Sequence, residues 1–283
     1  MSCKHFFQNN RRFSSLCNAI LFQGKDVIEK DSLVPYQNEE TAIIDHKIGI
    51  RRLRDIIKKT DIHGQYFLLA VENQSDIDQS MPIRTGIYDM LTYYHQYQNQ
   101  RRLTPVFTIV FYTGERKWKG NHSLKDMMEE IPKELEQYFN DYKMIIVDIK
   151  ELDATKISDK ETREMIQIVQ SIYNVESKRP EKIVLTKDDA LTAGMITRSQ
   201  WLIEEARKCE EEINVCEAMD RYVEKKKAEE KRDMLITLLT TKLGNLSKKV
   251  VEKITKASSE ELKQLTVSIF HIESEDDIIS IIH

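Results

Sequence analysis

Glycine is scarce in this chain: only 8 of 283 residues, none of them clustered, so no glycine-rich phosphate loop is present. Cysteine is scarce as well. Cys3, Cys17, Cys209 and Cys216 form no CxxC pair, and no histidine stands with them at metal-ligand spacing. That argues against a structural zinc and for reduced thiols in a cytoplasmic protein. No apolar run approaches the roughly 18 residues a membrane helix requires, so no membrane segment is expected. The first ten residues lack the apolar stretch of about 7–15 residues that marks a signal peptide. Ser14, Ser15 and Cys17 have no recognisable base paired with them, which leaves nucleophilic catalysis unsupported. His63 and His95 are lone histidines and read as surface or packing residues.

What the chain does have is charge. Hydrophobic residues make up 40% and charged residues 32%, the balance of a globular protein rich in surface helix. The net charge of −4 is unevenly spread: residues 1–120 hold 17 Lys+Arg against 13 Asp+Glu, and residues 121–283 hold 26 against 34. If the protein binds nucleic acid, its basic N-terminal part is the footprint, although the whole-chain pI of about 6.0 weighs against tight non-specific binding.

The central stretch is Tyr66-Phe-Leu-Leu-Ala-Val-Glu72-Asn-Gln74. An apolar run ended by an acid and an amide reads as a strand buried on both faces. Glu72 and Gln74, two apart, then point to one face and share a site. The competing reading is a strand that simply emerges into solvent. Asp61-Ile-His-Gly64 is a turn signal, so residues 53–59 and 65–74 are expected to form a hairpin that brings Asp55 near Glu72.

Before this hairpin, Phe13, Leu16, Cys17, Ile20 and Leu21 recur at helical spacing and Gly24 supplies a stop. Residues 25–40 read as a loop. After the hairpin, Pro82 opens a helix whose expected apolar stripe is Ile83, Ile87, Met90, Leu91 and Tyr94. A buried strand over 105–112, a short helix near 124–131 and a strand over 144–149 follow. This alternation predicts an α/β fold, a mixed sheet flanked by helices. From about residue 160 the pattern is helical, and residues 201–232 read as one long solvated helix or a coiled-coil arm that suggests a two-fold homodimer. Ser258-Ser-Glu-Glu261 offers a capping box, Gly244 a helix end, and Ser274-Glu-Asp-Asp277 a last helix start. Three regions are therefore expected: an α/β core over 1–155, a charge-rich helical connection over 156–233 and a small helical domain over 234–283.

Asp55, Glu72 and Gln74 are the polar residues set on successive core strands with a common facing. Two carboxylates there suit a hard cation such as Mg²⁺, which takes oxygen ligands and activates water. Strand-end acids without that role are also common. Arg51, Arg52, Arg54, Lys58 and Lys59 flank Asp55, and Arg101-Arg102 precede the next strand; such residues grip a phosphate backbone or merely solubilise a sheet edge.

The triad Asp55…Glu72-Asn73-Gln74 resembles the PD-(D/E)xK pattern, with Gln74 in the place usually held by lysine. The words around it, notably residues 12–28, Arg54-Asp-Ile-Ile-Lys58, residues 72–84 and Tyr88-Asp-Met-Leu-Thr-Tyr93, resemble the Rpn family of bacterial recombination-promoting nucleases and transposases. Residues 105–114 and 239–282 carry the likeness through nearly the whole chain. The resemblance implies a restriction-endonuclease-like core, followed by a helical C-terminal region, that cleaves DNA with Mg²⁺ or Mn²⁺. Asp55 and Glu72 would hold the ion with the Asn73 carbonyl, Gln74 would orient water or a phosphate oxygen, and Arg54, Lys58 and Arg84 would contact DNA. Ser15 stands where an acid is expected in many relatives. The alternative is a catalytically degenerate relative that binds DNA or a protein through its helical C-terminal half.

Overall fold

The computed structural model describes residues 3–36, 39–44, 48–53, 55–99, 102–174 and 182–282, with the side chains of 39–44 and 48–53 left aside. The chain divides into two compact units, Met1–Cys216 and Glu217–His283.

The first unit opens with α1 (Cys3–Phe7) and α2 (Asn10–Phe22). Asn9 caps α2 by accepting from the amides of Arg11 and Arg12. The helix stops where Gln23 turns left-handed and Gly24 adopts φ +86°; a Cβ on Gly24 would press on the Lys156 carbonyl. Phe13, Leu16 and Cys17 are buried as expected, but so are Ser14, Ser15 and Asn18, whereas Ile20 and Leu21 are only half-buried. The polar residues tolerate burial because each is bonded. Asn18 Oδ1 accepts from Ile28 N at 2.9 Å and its Nδ2 donates to Ile28 O at 3.0 Å, latching the following chain to the helix. Ser15 Oγ accepts from the Asp159 amide at 2.9 Å and so serves packing.

Next come β1 (Val34–Pro35), the hairpin strands β2 (Glu39–Ile44) and β3 (Ile48–Leu53), then β4 (Ile56–Ile62) and β5 (Gln65–Gln74). The expected hairpin is present, with β4 antiparallel to β5 from Ile62↔Gln65 to Ile56↔Val71. His63 and Gly64 join them, both at positive φ (54° and 78°), the two-residue geometry that matches strand twist. The expected loop over 25–40 carries a turn of 3₁₀ helix, Lys30–Ser32, and β1. There follow α3 (Met81–Asn99), β6 (Val106–Tyr112), α4 (Lys133–Glu136), β7 (Ile145–Asp148) and α5 (Lys160–Tyr173). The main sheet runs β1-β4-β5-β6-β7, antiparallel up to β5 and parallel beyond it, a mixed α/β arrangement.

Helices cover both faces of this sheet. Ile57, Leu68, Ala70 and Val106 pack with Tyr93 of α3 on one side; on the other, Phe7 of α1 meets Phe111 edge-on with ring centroids 5.6 Å apart. The face α3 presents differs from the expected one. Met81, Thr85, Tyr88, Asp89, Thr92 and Gln96 are buried, while Ile83, Met90 and Tyr94 are exposed. A polar stripe serves as the inner face because its groups are satisfied: Asp89 accepts from Thr108 Oγ1 and from Tyr142 Oη, both at 2.6 Å, and Thr85 Oγ1 donates to the Met81 carbonyl.

The unit is completed by β8 (Val184–Thr186), α6 (Lys187–Thr197), α7 (Gln200–Lys208) and β9 (Glu212–Asn214). The expected single long helix over 201–232 is interrupted here. β9 pairs antiparallel with β8 and buries Ile213, so packing outweighs the helical charge pattern. α8 (Val215–Leu243) then runs into the second unit, where α9 (Lys248–Lys256), α10 (Ser259–Ser268) and α11 (Glu275–Ile281) follow. Leu239, Val250, Ile254, Leu262, Leu265 and Ile278 form that unit's core. Gly244 at φ +87° ends α8, the expected capping box Ser258/Glu261 forms, and the expected helix start at Ser274 proves to be a second such box with Asp277.

Arg12 joins distant parts of the first unit. Its guanidinium holds Asp189 through two bonds of 2.8 and 2.9 Å and Glu161 through one of 2.7 Å. Asp189 is buried, and burial raises its carboxyl pKa against the pull of Arg12. Arg12→Ala leaves that acid buried without its cation, so it should cost about 3–5 kcal/mol in urea unfolding; an unchanged midpoint would show that the pair contributes nothing.

Candidate active site

The candidate site lies where β4 and β5 reach the end of their pairing. One step past Ile56↔Val71, Asp55 comes level with Glu72. There the Asp55 side chain takes over from the ladder: its Oδ2 accepts from the Asn73 amide at 2.8 Å. Glu72 is 4% exposed and continues the α3-facing side set by Leu68 and Ala70. Continuing the hairpin register by one step thus puts Asp55 opposite Glu72.

Asn73 turns its side chain the other way, toward α1. Its Oδ1 accepts from the Cys3 thiol at 2.9 Å, and its buried Nδ2 has no hydrogen-bond partner among the described residues. Burial, then the charge of Asp55, pushes the Cys3 thiol well up, so it remains a protonated donor. Gln74 points to the Glu72 side by alternation, yet its Nε2 donates to the Asp76 carbonyl at 2.8 Å, so its amide is engaged with the exit loop. Its own carbonyl accepts from the Thr113 amide at 2.8 Å, extending the bonding of β5 with β6.

The loop from Ser75 to Ser80 is organised by Asp78. Its Oδ1 accepts from Ser80 N and Oγ at 2.8 and 2.6 Å, and its Oδ2 pairs with Arg84 Nη1 at 2.7 Å. Against the desolvation that opposes them, these bonds hold the Asp78 carboxyl below its ordinary value. Arg84 thus stands half-exposed in the first turns of α3 with its charge matched locally.

Of the expected DNA contacts, Arg54 lies outside the described residues, as do Arg101 and the side chains of Arg51 and Arg52. Lys58 requires correction. It is 3% exposed and faces α1 and α2: its Nζ donates to the Gln8 carbonyl and to Asn10 Oδ1, each at 2.7 Å, and lies 4.7 Å from the Phe13 ring centroid. A lysine committed in this way is a packing residue, because strand alternation turned it inward while its neighbour Lys59 lies over the Tyr66 ring.

Among the described residues no group of three or more His, Cys, Asp and Glu could enclose a metal ion. The donor set at the strand exit is instead two carboxylates. That fits Mg²⁺ or Mn²⁺, which is commonly held by one or two protein carboxylates with waters and substrate phosphate completing the shell.

Sequence reasoning missed the cleft beside this exit, about 480 Å³ in volume and lined by residues from the ends of β5, β6, α5 and α6. Its residues are far apart in sequence, and no local pattern joins them.

A mixed sheet with helices on both faces and an acid pair at the end of a central strand defines the class of fold and site. Within it, the family described as "Putative transposase, YhgA-like" matches residues 20–193, and the chain belongs to that family, in agreement with the resemblance noted above. No curated protein and no solved structure matches the chain. No helix among the described residues is long and apolar enough to cross a membrane.

Burial lowers the Lys58 pKa from 10.5 to about 8. Between those values the folded protein binds fewer protons than the unfolded chain, so stability rises with pH across the interval. Relative to Lys58→Met, the wild type should gain up to about 3 kcal/mol between neutral pH and pH 10.5 in urea unfolding. A pH-independent difference would show that burial does not lower the Lys58 pKa.

Proposed function

We propose that the protein is a divalent-metal-dependent DNA endonuclease acting in transposition or recombination, with Asp55 and Glu72 as its metal ligands. The observation that carries this reading is the bond from the Asn73 amide to Asp55 Oδ2, which sets Asp55 level with buried Glu72. Membership of a transposase family supplies the class of substrate, DNA. Mg²⁺ or Mn²⁺, when bound, polarises the scissile phosphate and lowers the pKa of a water.

The chain's own residues do the rest. Asp55 has one oxygen engaged by the Asn73 amide, which leaves Oδ1 for the ion and holds the carboxylate in place. Glu72, set in an apolar face, provides the second carboxylate, and the Asn73 carbonyl is assigned as the third ligand. Gln74 orients a water or a phosphate oxygen once its amide leaves the Asp76 carbonyl. An amide lacks lysine's charge and transfers no proton at neutral pH, so turnover is slow for this chemistry. Arg84, at the start of α3, contacts a phosphate by exchanging Asp78 for it.

The test is nicking of supercoiled plasmid with Mg²⁺, Mn²⁺ or Ca²⁺ by wild type, Glu72→Ala and Asp55→Ala at matched concentration. Wild type should nick in Mg²⁺ or Mn²⁺, and each variant should lose about 10²-fold or more. Calorimetry should show metal binding by wild type that Asp55→Ala abolishes. Equal activity or equal inactivity of wild type and Glu72→Ala would sink the reading.

A further inference from the structure

The cleft beyond Gln74 is built where the parallel strands β5 and β6 and the helices α5 and α6 end. Ser75, Asp76 and Ile77 leave β5; Tyr112, Gly114 and Arg116 end β6; Tyr173 closes α5; and Thr197 and Arg198 end α6. In open α/β sheets, ligands bind outside the carboxyl ends of strands. At about 480 Å³ the cleft falls within the range of roughly 300–1,000 Å³ usual for small-ligand sites.

Its walls are tied together, so its shape is set before any ligand arrives. The Tyr173 hydroxyl lies 2.7 Å from the Thr113 carbonyl and 3.0 Å from the Ile196 carbonyl. Lys150 Nζ binds the Gly114 and Arg116 carbonyls and Asp148, holding the β6 exit from below. Arg198 bridges to both oxygens of Asp76 at 3.3 Å, and does so from a left-handed backbone, φ 55°, that costs a non-glycine residue about 1 kcal/mol. At Gly114 a Cβ would collide with the Ser75 carbonyl and the Tyr112 hydroxyl, so only glycine keeps this wall open.

Two groups in this rigid cleft are uncommitted. Tyr112 is 1% exposed, yet its hydroxyl has no hydrogen bond among the described residues and stands at the Gly114 wall. Burial raises its pKa, so it is a protonated donor. Arg116, exposed at the mouth, has no ion-pair partner among the described residues. A buried phenol donor inside and an unpaired guanidinium outside match a ligand with an acceptor-bearing ring at one end and a phosphate at the other.

We infer that this cleft is a subsite for one nucleotide of the DNA strand, its phosphate on Arg116 and its base or sugar reaching Tyr112. The inference rests on the nuclease reading of Asp55 and Glu72, whose strand delivers the chain directly into the cleft: Gln74 neighbours Tyr112 in the parallel β5–β6 register. One nucleotide beside the cleaved bond is thereby sampled by shape and by a single hydrogen bond, and cleavage acquires a preference at that position.

The probes are deoxyadenosine 5′-monophosphate and inorganic phosphate, titrated calorimetrically without metal into the full chain. Wild type should bind the nucleotide more tightly than phosphate. Arg116→Ala should weaken nucleotide binding about tenfold and Tyr112→Phe severalfold, each with an unchanged melting temperature. Absence of nucleotide binding by wild type, equal affinity for phosphate, or unaltered binding by both variants would overturn the subsite. Plasmid nicking run in parallel separates the two claims: nicking without nucleotide binding removes the subsite alone, whereas nucleotide binding without Glu72-dependent nicking upholds the cleft and removes the nuclease.

Discussion

The hydrogen bond between the Asn73 amide and the Asp55 carboxylate is the constraint on which the candidate site depends. It forms because a side-chain oxygen takes the Asn73 amide just past the last β4–β5 pair, Ile56↔Val71. Backbone donors must be satisfied, and here an acid does so at the cost of its own freedom. The consequence spreads in three directions. Glu72 is committed to the α3 side, Asn73 to Cys3 of α1 on the opposite side, and Gln74 to the loop that leads into α3. Three consecutive residues thus couple both faces of the sheet and its exit.

Around that point the fold is held by polar latches set into apolar layers. Asn18 binds its own downstream chain, Asp89 joins β6 and the chain before β7 to α3, and Lys58 fastens β4 to the N-terminal helices. Each such bond adds only about 1 kcal/mol net, but its loss leaves a buried group unsatisfied and costs more. Such latches fix which face of a helix turns inward. They also explain why the first unit continues to Cys216: Arg12 in α2 grips Glu161 in α5 and Asp189 in α6, elements that follow residue 155.

Legibility from sequence varied with the range of the forces involved. The β4–β5 hairpin was readable because Asp61 through Gly64 is turn chemistry and residues 66–71 are an apolar run, both local signals. The capping box at Ser258 and the helix start at Ser274 were readable for the same reason. The inner face of α3 was not. Its apolar positions Ile83, Met90 and Tyr94 satisfy helical periodicity, yet Asp89 and the threonines occupy the interior because Thr108 and Tyr142, 19 and 53 residues away, supply their partners. β9 was hidden in a run of acids, and only its pairing with β8 reveals it.

By itself the sequence determined the strands and turn that set Asp55 level with Glu72, the family, and the helical character of the C-terminal unit. These follow from alternation, turn residues and caps, all of which act within a few residues. The tertiary structure alone decided that Lys58 is buried and that the long charged segment breaks at β9. It decided equally that Tyr112, Arg116, Tyr173 and Arg198 surround one cleft. Those outcomes depend on which distant groups meet, and contacts between residues dozens of positions apart leave no periodic trace in the chain.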